Sequence, residues 1–136
     1  MLKVEGLNIY YGGIHALKSV DVEVNEGEVV TIIGSNGAGK STLLNSISGF
    51  LKPKDGGAIN YRGNKIIGVA PHKIVKMGLC HIPEGRLVFV NLTVKDNLML
   101  GAYLRNDKKV IAEDLERVYE LFPRLKEREK QVAGTL

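Results

Sequence analysis

An α/β fold is predicted by three observations on this chain. Apolar residues alternate with polar ones in the first 33 positions, as strands require. A Gly-rich turn, GSNGAGKS at 34–41, separates a β-branched run from a helical pattern. From residue 84 onward the apolar spacing becomes helical.

The strands come first. Leu2, Val4, Leu7 and Ile9 alternate imperfectly around Gly6, which predicts a bent or bulged strand. Val20, Val22 and Val24 alternate with Asp21 and Glu23, the pattern of a strand with one wet face. Asn25-Glu26-Gly27 reads as a turn into EVVTIIG at 28–34, whose β-branched character predicts a buried parallel strand.

The turn that follows has the form G-x-x-x-x-G-K-[ST], a phosphate-binding loop. Its chemistry explains its residues. Backbone N–H groups of such a turn point inward and form an anion nest. The residues from Gly34 through Asn36, Gly37, Ala38 and Gly39 supply that backbone, and the two inner glycines allow a tight approach to phosphate. Lys40 is expected to reach the β- and γ-phosphates as a point charge. The Ser41 hydroxyl is expected to face Mg²⁺, with Thr42 completing the loop. Leu43, Leu44 and Ile47 continue as a helix, ended by Gly49, whose N-terminal dipole favours an anion.

Beyond Gly49, Lys52-Pro53-Lys54-Asp55-Gly56-Gly57 is a loop, Ala58–Tyr61 a short strand and Arg62-Gly63-Asn64 a turn. Pro71 opens a short helix that runs to Met77 and stops at Gly78. Leu79–Ile82 reads as a second buried strand ended by Pro83, with Cys80 as a core thiol. Thr93 and Asp96 form a capping-box pattern for a helix expected to reach Arg105. Ile111, Leu115, Val118 and Phe122 make the apolar stripe of a further helix, with Glu113 and Arg117 paired on another face and Pro123 as its stop. The charged RLKEREKQ segment reads as a solvated helical face.

Composition narrows the function classes. The net charge of +4 is small and its acids and bases interleave, so no basic stripe marks the chain as a nucleic-acid binder. Tryptophan is absent and the other aromatics are few, which leaves no stacking platform for single strands. One cysteine permits no internal disulfide and suits a reducing compartment. No run has membrane-spanning length. His15, His72 and His81 have no metal-ligand spacing and read as structural or surface residues. Glu5, Glu23, Asp55 and Glu113 form no recognisable acid–base pair. The guanine-reading N-K-x-D of GTPases is missing.

Five blocks carry a family resemblance: LNIYYGGIHAL at 7–17, GSNGAGKST at 34–42, HIPEGRLVF at 81–89, LTVKDNLMLGAYLR at 92–105 and LFPRLKER at 121–128. In these the chain resembles the nucleotide-binding subunits of ABC transporters, most closely the LivF-type ATPases of branched-chain amino acid importers. Val90 stands where a Pro is usual, and Asp96 where Glu is commoner.

The resemblance implies a phosphate-loop NTPase fold of the ABC ATPase kind: an N-terminal antiparallel β portion, a nucleotide-binding core over 1–83, and a helical subdomain beginning at 84–136. It implies ATP and Mg²⁺ as ligands and assigns Tyr11 to the ring that stacks on adenine. Tyr10 competes for that role, and periodicity alone does not choose between them. Glu84 falls where most members carry a Mg²⁺-contacting glutamine; a carboxylate keeps that capability. Related urea-transporter subunits usually keep glutamine there. Arg86 either balances Glu84 or contacts a neighbouring loop. The implied partners are a second nucleotide-binding subunit, two transmembrane permease subunits docked near 85–105, and indirectly a periplasmic or extracellular substrate-binding protein. The implied location is the cytoplasmic inner face of the membrane.

In the family, the signature segment LSGGQ begins near Leu136, and the Mg²⁺-ligating Asp, the general-base Glu and the switch His lie further on. The expectation is therefore an incomplete subunit, with unpaired strand edges and no general base for hydrolysis. Alternatives are a nucleotide-binding module without catalysis, a subunit for another amino acid or urea-type cargo, an ABC ATPase that works without a membrane partner, and a helical C-terminus repacked over the gap.

Overall fold

The computed structural model describes residues 1–54, 56–85 and 87–136. The described chain divides into two compact units, Met1–Ile82 and Pro83–Leu136.

The first unit is built on an antiparallel sheet. Strand β1 (Leu2–Tyr11) pairs with β2 (Ile14–Val24) on one side and with β3 (Ala58–Tyr61) on the other. A two-residue strand, β4 (Asn64–Lys65), pairs with β3 across the Arg62-Gly63 turn, giving the order β2-β1-β3-β4. The bulge expected near Gly6 is present. The β1–β2 register shifts between Val4 and Leu7 and again on either side of Ile9, and Gly6 has φ 56°. The alternation in β2 also holds, with Val20, Val22 and Val24 turned inward relative to Asp21 and Glu23.

Helix α1 (Lys40–Ile47) lays Leu43 and Ile47 on a core of Val4, Leu7, Ile9, Leu17, Ile59, Tyr61, Ile66 and Ile74. Leu44, expected with them, faces solvent. Helix α2 (Pro71–Lys76) starts on Pro71, whose missing N–H costs nothing at a first helical position, and it buries Ile74.

Two expected strands are not formed. The segments 28–34 and 79–82 have no ladder partner among the described residues, and Val29, Ile33 and Ile82 are 92%, 91% and 89% exposed. A β-branched run becomes a buried strand only when neighbours supply both its hydrogen bonds and its cover. No described segment pairs with either run. Cys80 is accordingly exposed, not a core thiol.

The second unit is helical. Helix α3 (Val94–Leu100) opens on the predicted capping box: Thr93 Oγ1 accepts from the Asp96 N–H at 3.1 Å, and the Asp96 carboxylate accepts from the Thr93 N–H at 3.4 Å. The helix stops at Leu100 instead of Arg105. From Gly101 the N–H groups turn to carbonyls three residues back, as in Gly101 to Leu98 and Ala102 to Met99, which tightens the coil out of α geometry.

Helix α4 (Lys108–Leu121) half-buries Ile111, Leu115 and Val118, but Phe122 is exposed and Tyr119 is the buried residue. The Tyr119 hydroxyl donates to Glu129, a carboxylate that gives the buried phenol a partner. Among the described residues no ion pair joins Glu113 to Arg117; Glu116 pairs instead with Lys126 at 2.6 Å, on the next helix, α5 (Pro123–Glu127). Among the described residues no helix is long and apolar enough to cross a membrane.

Candidate phosphate-binding site

The loop at 34–41 is a true turn. Ala38 N–H donates to the Ser35 carbonyl at 3.1 Å, and Gly37 and Gly39 take φ 85° and 92°. Only glycine adopts those angles without strain. At Gly39 a second constraint applies. A Cβ there would lie 2.6 Å from Leu17 Cδ2 and 3.1 Å from the Ala16 carbonyl, so the loop rests directly on β2. Gly34 faces Ala38 as closely, at 3.1 Å from a built Cβ.

Helix α1 follows without a cap. Gly39 has no side chain to offer, and among the described residues no side chain caps the helix. The first intrahelical bond runs from Leu43 N–H to the Gly39 carbonyl. The N–H groups of Lys40, Ser41 and Thr42 therefore have no acceptor within the helix, and they carry the positive end of its dipole. Ser41 is exposed beside them. The Lys40 ammonium curls back over the loop, donating to the Gly34 carbonyl at 2.7 Å and the Ser35 carbonyl at 2.8 Å. One ammonium group, three amides without an intrahelical acceptor and a hydroxyl lie within one turn of chain. A positive charge together with N–H and O–H donors of this kind suits an anionic group such as phosphate.

Tyr11 joins this group. Its hydroxyl lies 3.4 Å from Thr42 Oγ1, and its ring is 46% exposed at the tip of the β1–β2 hairpin. Tyr10 is instead stacked on His15, with centroids 4.1 Å apart and planes 13° from parallel. Glu84 stands exposed in a bend of the second unit. Arg86 and Asp55 lie outside the described residues, and so do the readings made of them from the sequence.

Two contributors were not legible in the sequence. Leu17 is the floor under Gly39, and Asn8 organises the hairpin below Tyr11. Only the shared face of Asn8 and Tyr10, two residues apart on one strand, pointed to the second.

A strand-turn hairpin, a Gly-rich anion nest and a capless helix define a phosphate-loop nucleotide-binding protein. A sequence model of the ABC transporter family matches residues 17–135, and the chain belongs to that family. It is 46% identical, over its whole length, to the high-affinity branched-chain amino acid transport ATP-binding protein BraG of Pseudomonas aeruginosa, and covers 58% of that protein. It is 37% identical over 136 residues to the probable branched-chain amino acid transport ATP-binding protein LivF of Archaeoglobus fulgidus, covering 57% of it. Among solved structures, an ATP-binding subunit of an ABC transporter superposes with a TM-score of 0.82 at 31% identity, over 96% of this chain and 53% of that one. An ATP-binding cassette in its ADP conformation gives 0.79 at 28% identity, over 99% and 58%. The chain thus spans a little over half the length of the relatives it matches.

Proposed function

We propose that this chain supplies the nucleotide-gripping part of an ATP-binding subunit of an ABC importer, and that branched-chain amino acids are the cargo. The observation that carries the first part is the Lys40 ammonium held over Gly34 and Ser35 beside the open first turn of α1. Lys40 would trade two carbonyl partners for phosphate oxygens, a charge-assisted exchange that favours the ligand. The amides from Asn36 to Thr42 would hold the phosphates, Ser41 and Glu84 would ligate Mg²⁺, and Tyr11 would stack on adenine. Bound Mg²⁺ supplies charge neutralisation on the transferring phosphoryl group. The cargo rests on the likeness to BraG and LivF.

In the complete subunit, ATP hydrolysis would drive transport. A second nucleotide-binding subunit and two membrane-spanning subunits would be its partners, at the inner face of the membrane. The segment after Glu84 supports the docking role. Asn97 binds both backbone groups of Phe89, its Oδ1 accepting from the N–H at 2.8 Å and its Nδ2 donating to the carbonyl at 3.1 Å. That clamp presents Leu87, Val88 and Phe89 to solvent on a fixed loop. For this chain we propose binding of MgATP through the loop at 34–42.

Calorimetric titration with MgATP tests the reading. Binding is expected, with a loss of roughly 30-fold or more on Lys40→Ala from the removed charged hydrogen bonds. No binding by the wild-type chain, or equal binding by the variant, would overturn it.

A further inference from the structure

Tyr11 receives little support from its own surroundings. It precedes the two-residue loop Gly12-Gly13, the most permissive pair the chain could place there, and Gly12 has φ 58°. Among the described residues the one polar contact of its side chain is the 3.4 Å approach to Thr42. A ring left to swing on such a loop would lose conformational entropy on stacking against a base. The opposite face of the same hairpin is where the support lies. From Leu7 onward β1 alternates, so that Leu7, Ile9 and Tyr11 share one face and Asn8 and Tyr10 the other.

On that outer face the parts interlock. His15 is the cross-strand partner of Tyr10, and the two rings stack at 4.1 Å. His15 Nε2 lies 2.9 Å from Asn8 Oδ1. The same oxygen accepts the Ser19 N–H at 3.0 Å, while Asn8 Nδ2 donates to the Gly6 carbonyl at 2.9 Å. Those two backbone bonds fix which end of the Asn8 amide is oxygen. His15 must therefore carry its proton on Nε2 and donate it. Asn8 sits where the β1–β2 register shifts, so its amide replaces ladder bonds that the bulges remove. Ser19, at φ 49°, is held in an unfavourable backbone region by one of those bonds.

We infer that His15, clamped between the Tyr10 ring and the Asn8 amide, is a positioning residue that holds Tyr11 ready for a nucleobase and so sets the preference for nucleoside triphosphates over bare polyphosphate. The inference rests on Tyr11 stacking under the proposed function. His15 touches neither base nor phosphate. It acts through the hairpin, and its effect is confined to the base end of the ligand.

The experiment measures, for the full chain, the ratio of affinities for MgATP and for magnesium tripolyphosphate, which shares the phosphate loop but has no base. Tyr11→Ala is expected to lower the ratio about 5- to 10-fold, the worth of one aromatic stack. His15→Ala is expected to lower it about 3- to 5-fold through lost preorganisation, with tripolyphosphate affinity unchanged. His15→Phe keeps the stack without the Asn8 bond and is expected to fall between. In the double variant Tyr11→Ala/His15→Ala the ratio is expected to match Tyr11→Ala alone, since a residue acting through Tyr11 has nothing left to position. A wild-type ratio in both His15 variants would overturn the proposal while leaving Tyr11 stacking intact. Equal losses for both ligands would overturn it by showing a general fold defect, and so would additive effects in the double variant. An unchanged ratio in Tyr11→Ala would remove the stacking reading itself and the proposal with it.

Discussion

The Tyr11 hydroxyl lies 3.4 Å from Thr42 Oγ1, joining the tip of a hairpin to the first turn of the helix that follows the phosphate loop. The two residues are 31 positions apart in the sequence. It is a weak bond by distance, so the ring and not the hydroxyl should carry the energy. Tyr11→Phe and Thr42→Val are each expected to change MgATP affinity less than about 3-fold, well below the loss from Tyr11→Ala. Titration calorimetry on the three variants checks the order.

Gly39 should be the most sensitive glycine of the loop. Its φ of 92° and a built Cβ at 2.6 Å from Leu17 Cδ2 combine backbone strain with overpacking. Gly39→Ala is expected to destabilise the first unit by about 2–3 kcal/mol. Gly37→Ala meets open space at φ 85° and should cost about 1 kcal/mol. Urea unfolding of both variants gives the difference; equal midpoints would contradict the close packing on β2.

Asp107 offers a pH readout. Arg105 grips its carboxylate with two N–H groups, Nε at 3.1 Å and Nη2 at 2.7 Å, and holds it below the usual carboxylate range. Arg105 also reaches Asp114 at 2.6 Å. Because the folded carboxyl is the stronger acid, its contribution is complete above the ordinary Asp value of about 3.9 and disappears as pH falls through the lowered one. Arg105→Gln is expected to return the Asp107 titration, followed by carbon-detected NMR, to the ordinary range. A titration unmoved by the substitution would show that the fork is not made in solution.

The exposed run at 28–34 predicts an unusual tolerance. Val29 and Ile33 are 92% and 91% exposed, so Val29→Thr and Ile33→Thr should alter the chain's stability by less than about 0.5 kcal/mol. Self-association should fall, because a contiguous run of exposed apolar side chains invites association between copies. Sedimentation velocity and urea unfolding measure both effects. A loss of about 2 kcal/mol would mean that these side chains are covered.

Local chemistry was readable residue by residue. The turn at 34–41 followed from its glycines, the start of α2 from Pro71, the start of α3 from Thr93 with Asp96, and the bulge in β1 from Gly6 breaking an alternation. Each depends on bonds or sterics within a few positions, which is the range over which a sequence pattern carries information. The same pattern failed for 28–34 and 79–82. Their composition is that of buried strands, but a strand is completed by neighbours, and composition does not say whether neighbours are present.

The sequence alone therefore determined the Gly-rich turn at 34–41, with Gly37 and Gly39 at its positive-φ positions and Lys40 opening the helix that follows. Tertiary structure decided which tyrosine is available to it, because Tyr10 and Tyr11 differ only in the face each turns and in what waits there: His15 for one, Thr42 for the other. It also decided that Gly39 must be glycine twice over, for its φ and for the Leu17 side chain beneath it. Dihedral preference is written in a residue and its immediate neighbours. Contact across 31 or 22 positions exists only after the chain has folded back on itself.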